Sequence, residues 1–229
     1  MTEVATVRHF SIQNMDAVEW LRSLPSASVD LMITDPAYES LEKHRKVGTT
    51  TRLKNSKASS NKWFDIFHNA RFPELFEEVY RVLKKNAHLY VMCDAETMFA
   101  IKPMGEEAGF KFWKPVIWDK VAIGMGYHYR ARCERILFFE KGKRKLQDLG
   151  MPDVLAVKRV HNGYPTEKPV ELLEMLVLQS SSTGQVVADC FSGSAATGVA
   201  AIKNGRHFIG TDTCEEAVDI GTERLRHDA

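Results

Sequence analysis

The stretch Gln185–Asp212, QVVADCFSGSAATGVAAIKNGRHFIGTD, decides how this chain should fold. Val186, Val187 and Ala188 make a short apolar run of the length expected for a buried strand, which closes on Asp189. Ser192, Gly193, Ser194 and Ala195 follow, and an alanine-rich helix is expected over Ala196–Asn204. A second strand should run from His207 to Thr211. Strand, tight loop, helix and strand in this order make one parallel β-α-β unit.

The loop inside this unit carries chemistry as well as shape. Small side chains let the backbone approach a ligand, and the first amides of the helix are free to meet polar groups. Asp212 falls at the end of the second strand, about 20 residues beyond the glycine loop, where a carboxylate can accept hydrogen bonds from ribose hydroxyls. The spacing is not G-x-G-x-x-G, and no G-x-x-x-x-G-K-S/T occurs, so dinucleotide and phosphate-loop readings both weaken. A nucleoside-bearing cofactor without a required pyrophosphate fits both features; a purely structural turn is the competing account of the loop.

The same alternation extends outward. Helices are expected over Asp16–Leu24, Arg71–Leu83, Glu96–Glu107, Val170–Gln179 and Cys214–Arg226. Strands are expected at Val29–Thr34, His88–Cys93, Lys114–Trp118 and Arg135–Glu140, with a turn at Lys84-Lys85-Asn86. This pattern predicts an α/β fold, a mostly parallel sheet covered on both faces, in a single domain over 1–229. Sites in such folds gather beyond the carboxyl ends of the strands, and Asp35, Asp189 and Asp212 all fall there.

Composition narrows the class. The 229 residues hold 31 Lys plus Arg against 30 Asp plus Glu, a formal charge of +1, so only the distribution of charge can speak to partners. The four cysteines (Cys93, Cys133, Cys190 and Cys214) are widely spaced, form no C-x-x-C pair and show no zinc spacing, which predicts a reducing compartment, the cytoplasm. No basic-then-apolar leader and no long apolar run is visible, so neither a signal peptide nor a membrane span is expected.

Local charge is uneven. Between Lys43 and Lys62 stand seven basic residues, Lys43, Arg45, Lys46, Arg52, Lys54, Lys57 and Lys62, with no acid among them. The Glu39–Lys62 loop is either a solvated insertion or a phosphate-contacting loop for an anionic partner. Arg130–Lys168 carries 10 basic and 5 acidic residues, whereas Pro169–Ala229 carries 4 and 9. One positive face is therefore expected, with Arg130, Arg132, Lys143, Arg144 and Lys145 as phosphate contacts.

A second loop, Asp35-Pro36-Ala37-Tyr38, follows the strand that ends at Thr34. Taken singly these residues read as a strand-terminating turn, but together the Asp35 carboxylate and the Pro36 carbonyl can accept the two N–H bonds of an amino group on a planar ring, while Tyr38 stacks on that ring. With DPAY at Asp35–Tyr38 and DCFSGSAAT at Asp189–Thr197, the chain resembles the DNA amino-methyltransferases, whose corresponding motifs are D-P-P-Y and D-P-F-x-G-S-G-T-T. NGYPTEKPVELLEMLV (Asn162–Val177), IWDK (Ile117–Lys120) and ERILFFEKGK (Glu134–Lys143) are similar to further family segments. The amine motif precedes the cofactor motif, which resembles the beta-type arrangement. Ala37, Ala195, Ala196 and Tyr164 depart from the family pattern. A non-glycine at 195 is not expected to take a positive φ angle readily.

The resemblance implies a Rossmann-like fold with a seven-stranded sheet containing one antiparallel strand, S-adenosyl-L-methionine as cofactor, and double-stranded DNA as partner. An Asp heading the amine motif implies transfer to the exocyclic N6 of adenine; N4-cytosine is the alternative. RNA or protein-glutamine methylation, or DNA binding without catalysis, are further readings. Asp35, Pro36 and Tyr38 would hold the amine, and no metal is needed. Asp189, Phe191, Gly193, Ser194 and Asp212 would bind the cofactor, with Thr166 and Lys168 closing its pocket. Asp16 is either an adenosine contact or a helix N-cap. Trp63 and Phe64 are either pocket or core aromatics. The target base would have to leave the helix stack. The recognition region, 144–161, is short, so a short target site is expected, which a homodimer would extend.

Overall fold

The computed structural model describes residues 10–40, 65–124, 129–161 and 166–228. One eight-stranded sheet forms its frame. From edge to edge the strands are β1 (Phe10–Asn14), β8 (His207–Asp212), β7 (Val186–Asp189), β2 (Val29–Thr34), β3 (Leu83–Cys93), β5 (Cys133–Lys141), β4 (Lys111–Asp119) and β6 (Val154–Ala156). Among the described strands only β5 runs against its neighbours, pairing antiparallel with both β3 and β4; the other ladders are parallel.

Side chains of the central strands alternate between two cores, as the two-residue period of a strand requires. Met32, Leu89, Leu137 and Phe139 face one core with helices α1 (Ala17–Ser23), α2 (Phe72–Val82) and α3 (Ala95–Glu107). Leu31, Ile33, Tyr90, Met92 and Ile136 face the other, with α4 (Val170–Ser180), α5 (Ala196–Lys203) and α6 (Glu215–Asp228). A fully buried side chain of this kind contributes about 1.5–3 kcal/mol, and Trp20, Phe72, Phe76, Phe139 and Phe208 are all sealed from solvent. Close packing is built in at Gly198, where an added Cβ would come 2.7 Å from Cδ1 of Phe208 and force α5 off β8.

Sheet size and one turn differ from expectation. Among the described residues the sheet has eight strands rather than seven. Both edge strands escape a hydrophobic reading: β1 is FSIQN with mostly exposed positions, and β6 is three residues long. They are strands because β8 and β4 supply their ladders. Lys84–Asn86 is no turn between helix and strand. It lies inside β3, where Asn86 takes a φ of 62° and the pairing shifts register between Val29 and Leu31 of β2. Leu83 to His88 of β3 spans five steps against the two from Val29 to Leu31 of β2, an irregularity of the ladder where an Asn takes the left-handed region readily.

Candidate active site

Parallel neighbours release their following loops at the same edge of a sheet. β2 and β7 are such neighbours, with Leu31 opposite Val187 and Met32 opposite Ala188. The loops beginning at Asp35 and at Asp189 therefore emerge side by side. Thr34 joins them directly, its hydroxyl donating to Asp189 Oδ1 at 3.0 Å. Both loops line one cavity of about 900 Å³, together with Asp16, Thr166, Lys168 and Asp212. The size suits a cofactor or small-molecule site, for which about 300–1,000 Å³ is usual.

The Asp189 loop is held from within. Besides Thr34, the Asp189 carboxylate accepts from Thr197 Oγ1 at 2.8 Å and from the Phe191 amide at 3.0 Å. It spends its acceptors on ordering the loop, and burial pushes its pKa up to about 7 against those bonds. Asp212 does the same one strand away, accepting from the Gly193 amide at 2.8 Å and the Cys214 amide at 3.0 Å. A carboxylate offers about four lone-pair positions, so Asp212 retains acceptors toward the cavity. Ala195 takes φ 58° and ψ 35°, the left-handed conformation that the sequence made unexpected without glycine, and its buried methyl group packs in the core beside α5. Such a backbone costs on the order of 1 kcal/mol and is retained because the surroundings fix it. Ser194 is buried and meets Arg224 Nη1 at 3.3 Å. Among the described residues Ser192 Oγ is buried without a hydrogen-bond partner, and Ser192 belongs to the cavity lining.

The Asp35 loop rests on a strut of aromatic side chains. Pro36 is buried and Tyr38 half-buried, with a bridge between Tyr38 and Phe67 and a 2.7 Å bond from the Phe67 amide to the Ala37 carbonyl. Burial, followed by the nearby carboxylates of Glu134 and Asp35, pushes the Tyr38 hydroxyl's pKa above its ordinary value. Arg71 stacks over the Phe67 ring, 4.9 Å from its centroid, and pairs with both Asp16 oxygens at 2.8 and 2.9 Å. Of the two readings for Asp16, the helix N-cap is present. It caps α1 through Val18 and Glu19 amides, and it lines the cavity.

A buried charge network was not legible in the sequence. Lys168 Nζ bonds Asp35 Oδ2 and lies 3.6 Å from Glu134 Oε2; Lys120 Nζ bonds the other Glu134 oxygen. Lys168, expected to close the cofactor pocket, thus points its ammonium at the amine loop. Burial raises the Asp35 pKa, and the facing Lys168 opposes that rise without cancelling it. Burial works against the Lys168 charge, but Asp35 and Glu134 outweigh it and hold the ammonium's pKa above the ordinary lysine value. Glu134 reaches the cleft because β5 is inverted: its first residues, not its last, lie at the carboxyl edge of β3, where Cys93 faces Arg135.

The basic residues divide. Arg130 and Arg132 precede β5 on the cavity side of the sheet and are exposed; Arg130 donates to Gly124 O at 2.6 Å, and Arg132 clamps Asp119 at 2.6 and 2.7 Å. Lys143, Arg144 and Lys145 follow the other end of β5, where Lys141 faces Ala87 at the start of β3. Six strand residues, roughly 20 Å, separate them from the cleft. Arg144 there bonds Gln185 Oε1 at 3.0 Å. The expectation of one positive face containing all five is corrected, because an antiparallel strand carries its two flanks to opposite edges. The 144–161 segment divides likewise: Gln147 and Asp148 bond Gln179 near the end of α4, and only Arg159, Val160 and His161 line the cavity. Lys43, Arg45, Lys46, Arg52, Lys54, Lys57 and Lys62, with Trp63, Phe64 and Tyr164, lie outside the described residues. Among the described residues no helix is long and apolar enough to cross a membrane.

Comparison with known proteins agrees with this arrangement. Residues 29–158 and 145–223 match the N6/N4 methyltransferase family model, described as DNA methylase. The chain is 29% identical to the DNA adenine methyltransferase YhdJ of Escherichia coli (strain K12), over 92% of this chain and 80% of that protein. It is 28% identical to the type II methyltransferase M.HpaI of Haemophilus parainfluenzae, over 92% and 72%. Its fold is similar to that of TTHA0409 from Thermus thermophilus, solved with S-adenosyl-L-methionine, with a TM-score of 0.69 and 23% identity over 96% and 95% of the two chains. The PvuII DNA methyltransferase, cytosine-N4-specific, shares the fold at a TM-score of 0.76 and 18% identity over 96% and 87%. With the family model spanning most of its length, and an Asp35 loop and an Asp189 loop sharing one cavity, this chain belongs to the N6/N4 family of DNA methylases.

Proposed function

We propose that this protein transfers a methyl group from S-adenosyl-L-methionine to the exocyclic N6 of adenine in double-stranded DNA. The observation that carries the reading is the shared cavity, with the Asp35 carboxylate on one wall and the Asp189–Thr197 loop on the other. The adenine reading is supported by Asp at the head of DPAY and by the overall similarity to YhdJ.

The residues present suit that cofactor. The Asp212 carboxylate, fixed by two amides, is placed to accept the ribose hydroxyls, and Asp16 stands close by on the same wall. Ser192 Oγ supplies a buried polar atom in need of a partner. Phe191, Gly193 and Ser194 shape the adjoining wall, and Thr166 lies at its rim. When bound, the cofactor supplies an electrophilic sulfonium methyl.

The protein's own contribution is alignment and oriented charge. An adenine amino group is a poor nucleophile because its lone pair is delocalised into the ring. Asp35 and the Pro36 carbonyl accept its two N–H bonds and so favour a pyramidal nitrogen. Tyr38, braced by Phe67, stacks against the base after it leaves the duplex. Exposed Arg130, Arg132 and Arg159 hold phosphates, which position the duplex without reading its sequence.

Incubation of the protein with isotopically labelled S-adenosylmethionine and mixed-sequence duplex DNA, followed by base analysis, tests the reading. Label in N6-methyladenine is the expected result. Label in N4-methylcytosine would reassign the base, and label absent from DNA would defeat the proposal.

A further inference from the structure

Resting on that reading, we infer that Glu134 and Lys120 are positioning residues which confine Lys168 to one oxygen of Asp35 and thereby set the aim of the amine-accepting carboxylate. Four side chains from separate parts of the chain converge here. Asp35 follows β2, Lys120 follows β4, Glu134 is the second residue of β5, and Lys168 precedes α4. Their order in space is alternating: carboxylate, ammonium, carboxylate, ammonium. All four are largely withdrawn from solvent, with Lys168 at 13% side-chain exposure and Asp35 at 27%. Two positive and two negative groups leave the cluster balanced, which is the condition for keeping charges in a poorly hydrated site.

The geometry assigns unequal tasks. Lys168 bonds one oxygen of Asp35, Oδ2, which leaves Oδ1 to accept from an incoming amine. A lysine ammonium between two carboxylates is anchored; paired with Asp35 alone it would be free to follow that carboxylate or to bridge both oxygens. Glu134 supplies the second anchor, and Lys120 fixes Glu134 in turn by bonding its remaining oxygen. Lys168 stays charged in this setting, so it is not the base that removes a proton from the amine. It is a fixed positive charge that favours the ionised carboxylate.

Other charged or titratable groups face Asp35 from packed elements: Tyr38 on its own loop, Cys93 at the end of β3 and Asp189 at the end of β7. None bonds Asp35 in place of Lys168. Burial raises the Asp35 pKa; Lys168 lowers it, Glu134 raises it and Lys120 lowers it. Charge alone moves the Asp35 midpoint up on loss of Lys168 and down on loss of Glu134. Positioning by Glu134 adds a fall in kcat in Glu134→Gln, because Lys168 is then free to bridge both Asp35 oxygens and block the one left for the amine.

The test is a titration of the full chain without cofactor or DNA, followed by NMR of aspartate labelled with ¹³C at Cγ. The Asp35 resonance is assigned by its loss in Asp35→Asn. Lys168→Met should move the Asp35 midpoint upward, Glu134→Gln downward and Lys120→Met upward by less than Lys168→Met. Lys168→Arg, which keeps the charge, should stay close to the unmodified protein. Circular dichroism at each pH confirms the folded state, and Glu134→Asp replaces Glu134→Gln if the latter does not fold; its retained charge at shorter reach should leave the midpoint nearer that of the unmodified protein. With DNA and cofactor, the acid limb of turnover should shift in the same order, and Lys168→Met should lose about 10²-fold in kcat with little change in cofactor affinity. Midpoints that do not move in Lys168→Met and Glu134→Gln, midpoints that move the same way in those two variants, or a Glu134→Gln (or, in its place, Glu134→Asp) protein that turns over like the unmodified one overturn the inference. Because the titration needs no transfer, failure of the unmodified protein to label DNA would defeat the adenine reading separately.

Discussion

Phe67 meets Phe191 edge to face, their ring centroids 5.0 Å apart. This contact, beside the bond from Thr34 to Asp189, brings the wall beneath the amine loop against the wall of the cofactor loop. Phe67 also donates its amide to Ala37 and packs against Phe72 at 5.1 Å, so the strut is anchored in the core. Truncation should be felt at both ends of the cavity. Phe67→Ala is expected to cost about 3–5 kcal/mol of stability, measured by urea unfolding, and to weaken cofactor binding and turnover together. A loss confined to one of the two functions would show that the loops are not coupled through this ring.

Asp35→Asn keeps the size of the side chain while removing its charge. Turnover is expected to fall by about 10²-fold or more, with cofactor affinity largely unchanged by calorimetry. The asparagine is preferable to alanine because Lys168, bonded to Asp35, would otherwise face an empty space. Turnover like that of the unmodified protein would remove Asp35 from the chemistry.

Asp212→Ala strips the acceptors from the Gly193 and Cys214 amides as well as from the cavity. Hydrogen bonds to a charged group contribute about 1.5–3 kcal/mol each, so affinity for S-adenosylmethionine should fall by about 10- to 100-fold or more. Isothermal calorimetry measures it directly; an unchanged constant would exclude Asp212 from the cofactor site.

Asp189 should leave a mark on the pH dependence of stability. Burial raises its pKa from 3.8 to about 7 in the folded chain. Between those values the folded state binds more protons than the unfolded state, so stability falls as pH rises through this window. Asp189→Asn removes the titration and should flatten the dependence between about pH 4 and 7. Urea unfolding at several pH values checks it, and an unaltered slope would mean that Asp189 titrates as an ordinary carboxylate.

The divided basic residues predict a divided response to salt. Arg130→Ala and Arg159→Ala, on the cavity side of the sheet, should each reduce the salt slope of duplex DNA binding by about 1. Lys143→Ala and Lys145→Ala, at the far edge of the sheet, should leave the slope unchanged. Fluorescence anisotropy at graded salt distinguishes the two groups, and equal effects would restore a single positive face.

What the residues alone determined was local. Gln185–Asp212 specified its strand, loop, helix and strand because apolar runs, small loop residues and helical spacing act over a few neighbours. That Asp35, Asp189 and Asp212 would share one edge of the sheet was legible because parallel strands send their carboxyl ends the same way, and all three line one cavity. The same reasoning missed β1 and β6, whose own residues bury little and whose strand character is borrowed from a neighbour's hydrogen bonds.

Tertiary structure decided what depends on distance through space. Lys120, Glu134 and Lys168 stand well apart from Asp35 along the chain, and no spacing rule joins them; only the inversion of β5 brings Glu134 to the cleft. That inversion also carries Lys143–Lys145 away from it. Ala195 shows the same division at a single residue: its sequence argues against a left-handed backbone, yet the bonds around Asp189 and the packing of α5 hold it there. Local propensity amounts to about 1 kcal/mol, and the several hydrogen bonds to the buried Asp189 carboxylate outweigh it.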